Sequence, residues 1–498
     1  MSVSARDQII AHAAVALTDM FDGDDERCAS LTIEQSDIRF DFSKTHLDAG
    51  LLEQFRALAA EQDFDGQRDR LFSGETINPT EGRGAEHTAE RGNGSVEAVA
   101  RVKALHQRMR ALIEAIEAGA FGEIKHLLHI GIGGSALGPK LLVDALGRED
   151  ARYDVKIVSN IDAAALAEAV ADMDPAKTLI AIASKTFTTT ETLLNAESAL
   201  EWLKEGGVDD PQGRCIALTA DPDKALEWGV DDSRILPFSD TVGGRYSLWC
   251  SIGFPAALGL GWAAFEEMLE GASAMDRHFR SAKLTENAPI LAAFADYYYA
   301  QNRGCETRAV FAYDERLRLL PDYLQQLEME SNGKSVTAKG EALPYHSAPV
   351  TWGGVGTDAQ HAVFQLLHQG THLIPVEFIV SKTPGHDFDP AHHEALLVNC
   401  LAQGAALMAG RKSDDPARSY AGDRPSMTLL IEDVTPAILG AMIAFYEHRT
   451  FTNAVLLGIN PFDQFGVELG KEIATKISED GPQGFDPSTM ALIAAAGL

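Results

Sequence analysis

Cysteine is scarce in this chain: Cys28, Cys215, Cys250, Cys305 and Cys400 are scattered through 498 residues. An odd number with no CxxC pair excludes a disulfide framework and a zinc-ligand pattern, and points to a reducing compartment. Basic residues are also few, 42 Lys and Arg against 73 Asp and Glu, for a formal net charge of −31. A general nucleic-acid surface needs clustered cations to neutralise phosphates, so that class is excluded. An anionic ligand must instead meet a local positive pocket. Long apolar runs are nearly absent, the exception being the uncharged stretch Tyr246 to Phe265. It is formally long enough to cross a bilayer, but Gly253, Pro255, Gly259 and Gly261 interrupt it, and it predicts a buried helix instead. The beginning, Met1-Ser-Val-Ser-Ala-Arg6, has no uninterrupted apolar core, so no export signal is expected.

What is present is enough for large cores: 45% apolar residues in a length that suits two or three domains. After a helical first hundred residues, broken by the polar, glycine-rich stretch Glu81 to Ser95, short apolar runs alternate with helical periods. These runs are His126 to Ile130, Val155 to Ser159, Leu179 to Ala183 and Ile216 to Thr219. A helical bridge near 262–302 follows, and the pattern restarts with Ala309 to Tyr313, Leu373 to Val380, Thr428 to Glu432 and Ala454 to Gly458. Such alternation predicts two α/β halves with parallel sheets and crossover helices.

The densest chemistry follows the third of these strands. Ser184, Thr186, Thr188, Thr189, Thr190 and Thr192 surround Lys185 at the start of a predicted helix. One hydroxyl suffices to cap a helix; six with a lysine suit an anion held at a helix N-terminus, so a phosphate site is expected there. A second glycine-rich turn, His129-Ile-Gly-Ile-Gly-Gly-Ser-Ala-Leu-Gly-Pro139, follows the first strand. Gly131, Gly133 and Ala136 fit a dinucleotide fingerprint, with Asp162 as a candidate ribose ligand and an NAD-dependent oxidoreductase as the rival reading. The neighbouring hydroxyl cluster is not something a dinucleotide fold requires, and Gly134 and Ser135 read better as a second wall of one phosphate pocket.

The remaining candidates are ambiguous singly. Arg245, after Gly243-Gly244, could stabilise an oxyanion or close a salt bridge at a helix start. Gln326 and Glu330 lie four apart on the helix Leu320 to Lys334, ending at Asn332-Gly333, and so share a face. His361 opens a helix with His368 seven residues later, and Lys471 sits on a helix near the end of the chain. His386-Asp-Phe-Asp-Pro-Ala-His-His393 has metal-ligand residue types, but its spacing fits no common zinc or iron pattern, and a helix-capping loop is expected there.

Taken together, Ile130-Gly-Ile-Gly-Gly-Ser, Ser184-Lys-Thr-Phe-Thr-Thr, Gly243-Gly-Arg-Tyr-Ser-Leu-Trp, Met329-Glu-Ser-Asn-Gly-Lys, Gly356-Thr with Gln360-His-Ala, and Gly466-Val-Glu-Leu-Gly-Lys occur in one order. Phe72-Ser-Gly-Glu, Glu81-Gly-Arg, Asp276 with His278-Phe279, and Thr450-Phe join them. In these motifs, from about residue 40 to residue 475, the chain resembles the glucose-6-phosphate isomerase family. The resemblance implies an α/β fold of two sugar-isomerase (SIS) type domains with mainly parallel five-stranded sheets flanked by helices. The expected boundaries are an N-terminal helical segment at 1–110, the two domains at 111–265 and 266–450, and a C-terminal strand and helical segment at 451–498 carrying Lys471. It implies interconversion of glucose 6-phosphate and fructose 6-phosphate through a cis-enediol, by a cytoplasmic homodimer of glycolysis and gluconeogenesis. No metal or organic cofactor, nucleic acid or membrane is implied as a partner. Carried over by residue, Ser184, Lys185, Thr186 and Thr189 would hold the phosphate beside Gly134 and Ser135. His361, donated across the subunit interface, and Lys471 would open the ring; Glu330 would move the proton, Arg245 would stabilise the intermediate, and Gln326 would orient the substrate. Ala136, Thr190 and Phe465 depart from the family's usual aspartate, glutamine and tryptophan, none at a residue assigned to chemistry. A sugar-phosphate-binding regulator without catalysis is the other alternative; Glu330, His361 and Lys471 add chemistry that binding alone would not require.

Overall fold

The computed structural model describes residues 3–148, 151–481 and 483–498. These divide into two bodies, Met1–Pro461 and Phe462–Leu498. Eleven strands form two sheets among the described residues. The first sheet is wholly parallel and contains β3 (His126–Gly131), β4 (Asp154–Val158), β5 (Thr178–Ala183), β6 (Cys215–Thr219) and β7 (Ile235–Pro237), in the order β4-β3-β5-β6-β7. All six residues of β5 and all five of β6 are buried, as expected of strands covered on both faces by crossover helices.

The second sheet contains β1 (Thr32–Gln35), β2 (Ile38–Asp41), β8 (Thr307–Tyr313), β9 (Val350–Val355), β10 (Val376–Ser381) and β11 (Ser426–Ile431), ordered β1-β2-β11-β10-β8-β9. Its core strands are parallel, but β1 and β2 form a hairpin that adds antiparallel to β11, making six strands where five were expected. The first hundred residues are therefore not all helical. The hairpin escapes sequence reading because its two-residue turn is Ser36-Asp37, both at positive φ (55° and 58°), where an Asn-Gly or Asp-Gly pair would have signalled it. Strand β9 carries two glycines; a Cβ at Gly353 would lie 1.8 Å from the Val310 carbonyl oxygen, so the close approach to β8 excludes a side chain.

Two further expectations are corrected. Ala454 to Gly458 is not a strand but the end of the buried helix Pro436–Leu457, which Thr435 caps and Gly458 closes at φ 69°. Buried on every side, that helix gives no clear period to separate its last turns from a buried strand. The run Tyr246 to Phe265 is buried as expected but is not one helix. It consists of short 3₁₀ turns, the helix Phe254–Leu260, and the first turn of the helix Trp262–Ser281 after Gly261 at φ 92°. No described helix is long and apolar enough to cross a membrane.

Two buried ionic networks meet the helix Pro436–Leu457. In one, Arg91 grips Asp276 with both Nε and Nη2 (2.9 and 2.7 Å) and pairs with Glu447, whose other oxygen accepts from Trp249 Nε1 at 2.7 Å. In the other, Arg449 grips Asp296 the same way (2.6 and 2.6 Å), and Arg308 joins Glu377 (3.0 Å) and Glu328. Each ion is buried, so removing one partner strands an uncompensated charge, at a cost of about 3–5 kcal/mol. The first network anchors the segment ending at Trp249 and the second the segment containing Glu328, so each fixes backbone that carries a candidate catalytic residue.

The second body comprises a 3₁₀ turn, Phe465–Val467, and the helices Glu468–Asp480 and Pro487–Ala496. Asp486 caps the latter by accepting from the Ser488 and Thr489 N–H groups.

Candidate active site

The glycine-rich turn after β3 is shaped by close packing. Gly131 leaves room for Ser135 and for Ala183 at the end of β5, whose Cβ atoms would lie 3.0 and 3.1 Å from a Cβ placed on it. A Cβ on Gly134 would fall 2.1 Å from the Gly244 carbonyl oxygen and 2.6 Å from the Arg245 nitrogen, so only glycine lets the turn lie on that segment. Gly133 sits at φ 58°, and its open face abuts the Gln326 Nε2, 3.0 Å from where its Cβ would be. Burial pushes His129 down to about 4, keeping the imidazole neutral; its Nε2–H donates to the Ser135 carbonyl at 2.7 Å and pins the turn. The fingerprint's candidate ribose ligand, Asp162, instead caps the helix Ala163–Val170 through the Ala164 N–H at 3.0 Å.

The hydroxyl cluster follows β5. Ser184 is buried and its Oγ shares a 3.0 Å hydrogen bond with Thr189 Oγ1; Thr186 and Thr188 pair at 2.7 Å. The helix Thr190–Glu205 begins there without a side-chain cap, leaving its N-terminal amides for an anion. Thr192 points inward and belongs to the core. Lys185 behaves differently from the simplest expectation of an ammonium aimed at the ligand. Its Nζ donates to the carbonyls of Asp240 (2.6 Å) and Val242 (3.0 Å). Burial, reinforced by nearby Arg83 and opposed by Glu81 and Asp240, lowers it to about 8. Burial would raise Glu81, but hydrogen bonds from Arg83 and Asn78 hold it below the usual carboxylate value. The cluster thus carries two cations and a compensating carboxylate beside the hydroxyls.

Arg245 opens the 3₁₀ segment Gly244–Trp249 and is almost fully buried. Its Nε donates to Ser331 Oγ at 2.6 Å, Nη2 donates to the Pro461 carbonyl, and Nη1 stands 3.6 Å from Glu330 Oε1. Glu330 ends a π-helical stretch, Gln326–Glu330, that interrupts the α-helix begun at Leu320–Gln325. π-Bulges of this kind concentrate at functional sites. Here one end abuts the Gly133 turn and the other the Arg245 guanidinium. Glu330 Oε2 is buried without a hydrogen-bond partner among the described residues. A buried carboxylate oxygen without a donor is an unusual expense in a fold unless a ligand or a transferred proton uses it.

The structure therefore gathers Gly134, Ser135, Gln326, Glu330 and Arg245 around one junction, with Ser184 and Thr189 beginning where β5 ends beside the same glycine turn. Among the described residues, His361 is not joined to it. His361 is exposed in the first turn of the helix Asp358–Gln369, with no hydrogen bond or ion pair to Glu330 or Arg245 among the described residues. Lys471 is exposed on the helix Glu468–Asp480 of the second body. In the His386 to His393 stretch, Asp389 accepts from the Ala391 N–H at 2.9 Å and starts the helix Ala391–Ala409. Sequence reading missed Ser331 and Tyr246, whose hydroxyls bond each other at 2.9 Å beside Arg245; neither type of residue signals a site from within a helix or an apolar run. Of the three departures, Ala136 is buried, Thr190 is exposed at its helix start, and Phe465 is exposed.

Comparison with known proteins accords with this geometry. The family model for phosphoglucose isomerase matches residues 41–493. A glucose-6-phosphate isomerase of Sphingopyxis alaskensis is 69% identical over 481 residues, 96% of each chain. One from Zymomonas mobilis is 64% identical over 491 residues, covering 98% of this chain and 97% of the relative. The crystal structure of a glucose-6-phosphate isomerase from Chlamydia trachomatis superposes with a TM-score of 0.90 at 31% identity, covering 99% of this chain and 97% of that one. With its glycine turn, hydroxyl cluster and buried arginine–glutamate junction in family order, this chain belongs to the phosphoglucose isomerase family.

Proposed function

We propose that this chain interconverts glucose 6-phosphate and fructose 6-phosphate, as a cytoplasmic enzyme of glycolysis and gluconeogenesis. The observation that carries the reading is the buried Arg245 guanidinium 3.6 Å from a Glu330 carboxylate that keeps one oxygen unpartnered. Moving a proton between C2 and C1 of an open-chain sugar needs one base on the correct face and a fixed cation for the developing enediolate. Glu330 takes the proton at one carbon and returns it at the other; Arg245 stabilises the negative oxygen between those steps. Ser184, Thr186 and Thr189, with the helix amides and the charge of Lys185, hold the phosphate far from the reacting carbons. Its binding energy then positions the chain for reaction. Gly134 and Ser135 form the facing wall, and Gln326 orients the sugar.

Ring opening needs an acid at the ring oxygen and a base at the C1 hydroxyl, the roles of His361 and Lys471. In this reading His361 serves the site of a second subunit in a homodimer. Support comes from the surface around it. The helices Asp358–Gln369 and Ala391–Ala409 are joined by His368 to Gln403 (2.9 Å) and Gln360 to Asn399 (3.3 Å), and they expose Leu366, Val398 and Leu401. Exposed apolar groups gathered on adjoining helices suit a subunit interface.

The test is conversion of fructose 6-phosphate to glucose 6-phosphate by the purified chain in EDTA, with a coupled readout. Turnover is expected. No turnover, with thermal stabilisation by sugar phosphates, would make the protein a regulator; absorbance change from a nicotinamide cofactor without coupling enzyme would make it an oxidoreductase.

A further inference from the structure

Two buried arginines in this molecule close on carboxylates through the fork formed by Nε and Nη2. Arg91 does so on Asp276 at 2.9 and 2.7 Å, and Arg449 on Asp296 at 2.6 and 2.6 Å. That bidentate geometry is the strongest an arginine makes. Arg245 is also buried, yet its closest approach to Glu330 is 3.6 Å from Nη1, beyond hydrogen-bond reach. The reason is visible at the fork. Its Nε donates to Ser331 Oγ at 2.6 Å and its Nη2 to the Pro461 carbonyl, so two neutral acceptors occupy the edge that a carboxylate would take.

Ser331 is wholly buried and directly follows Glu330, so the segment that brings in the carboxylate also brings in the group that keeps the arginine off it. The hydroxyl is held in turn: Tyr246 OH bonds Ser331 Oγ at 2.9 Å, and the Tyr246 ring stacks on His87 with centroids 4.6 Å apart. The arrangement has a chemical consequence. An Arg245–Glu330 fork pair would occupy the carboxylate oxygens and weaken Glu330 as a base, while offsetting the cation meant for the oxyanion. Held off the fork, both groups stay available to the substrate.

We propose that Ser331 is a positioning residue for the isomerisation, occupying the Arg245 fork so that the guanidinium cannot close on Glu330. This rests on the roles given above to Arg245 and Glu330. The test is steady-state kinetics of Ser331→Ala, alone and combined with Arg245→Lys, which has no fork to occupy. Ser331→Ala is expected to lower kcat by about tenfold or more while KM for fructose 6-phosphate stays within about twofold, because the phosphate side is untouched. In the Arg245→Lys background the same change should cost less than about twofold. An equal loss in both backgrounds, or wild-type kcat in Ser331→Ala, overturns the proposal. If Ser331→Ala does not fold, Ser331→Cys keeps the volume with a weak acceptor and should show the same loss of kcat; wild-type kcat in that variant overturns the proposal equally. Inactive wild-type protein would instead count against the isomerase reading itself.

Discussion

The two sides of the site are built on opposite plans. On the proposed phosphate side, hydroxyls satisfy one another: Ser184 with Thr189 and Thr186 with Thr188, at an uncapped helix start, with Thr186 and Thr188 exposed. On the proposed chemical side, Arg245 is buried with its fork occupied, and the backbone on both flanks is tied down, through Trp249 to Glu447 and through Glu328 to Arg308. The difference is instructive. An incoming dianion can reorganise weak hydroxyl pairs at little cost and gains charge-assisted hydrogen bonds in exchange. A proton transfer needs its base and its cation fixed before the substrate arrives, because reorganisation during reaction would raise the barrier. In the proposed reading, binding falls to adaptable groups and chemistry to rigid ones.

Substitutions on each side should separate kcat from KM. Glu330→Gln keeps the shape of the side chain and removes the proposed base, and kcat is expected to fall by about 10³-fold with substrate still bound, as measured by the coupled assay and by calorimetric binding of a sugar phosphate. Arg245→Lys keeps a charge but loses the fixed fork, with an expected loss of about 10²-fold in kcat. On the other side, Ser184→Ala should raise KM by about tenfold and leave kcat within about threefold, since it removes a donor to a charged group away from the reacting carbons. Comparable kcat losses on both sides would dissolve the distinction.

The smallest expected effect is a pH dependence. Lys185 is lowered to about 8 from the ordinary lysine value, first by burial and then by Arg83. Below pH 8 the free enzyme carries this charge near the phosphate cluster; as pH rises through about 8 the charge is lost and kcat/KM should decline by a few-fold. Lys185→Gln should lower kcat/KM at neutral pH and flatten that limb. The same shift affects stability with a defined sign. A lysine lowered in the folded state costs most where it is protonated in both states, so its penalty is full below about 8 and fades as pH rises toward the unfolded value.

Much of this was legible because it is written locally. A strand followed by glycines or hydroxyls and then a helix is a short-range pattern, and it located both β3 with Gly131 to Ser135 and β5 with Ser184 to Thr189. The meeting of Arg245 with Glu330 and Ser331 was not legible from spacing: it depends on tertiary packing across 86 positions, and came only through the family's motif order. Ser331 carries no local signal at all, since a serine within a helix reads as neutral until its partner is known. Lys185 was found by its neighbours, but the turning of its Nζ onto two carbonyls depends on the 240–242 backbone lying against it. The hairpin at Ser36-Asp37 and the helical fate of Ala454 to Gly458 were hidden for opposite reasons, an uncommon turn pair in one and the absence of any period in the other.

The most direct measurement of the central claim, that Glu330 carries a proton between adjacent carbons beside a fixed Arg245, is deuterium uptake from solvent. Fructose 6-phosphate would be incubated in D₂O with wild type and with Glu330→Gln, and label at C1 and C2 followed by NMR. Wild type is expected to incorporate deuterium at the carbon receiving the proton, and Glu330→Gln to show neither label nor turnover while still binding substrate. Undiminished label and turnover in Glu330→Gln would contradict the account, because another group would then be moving the proton.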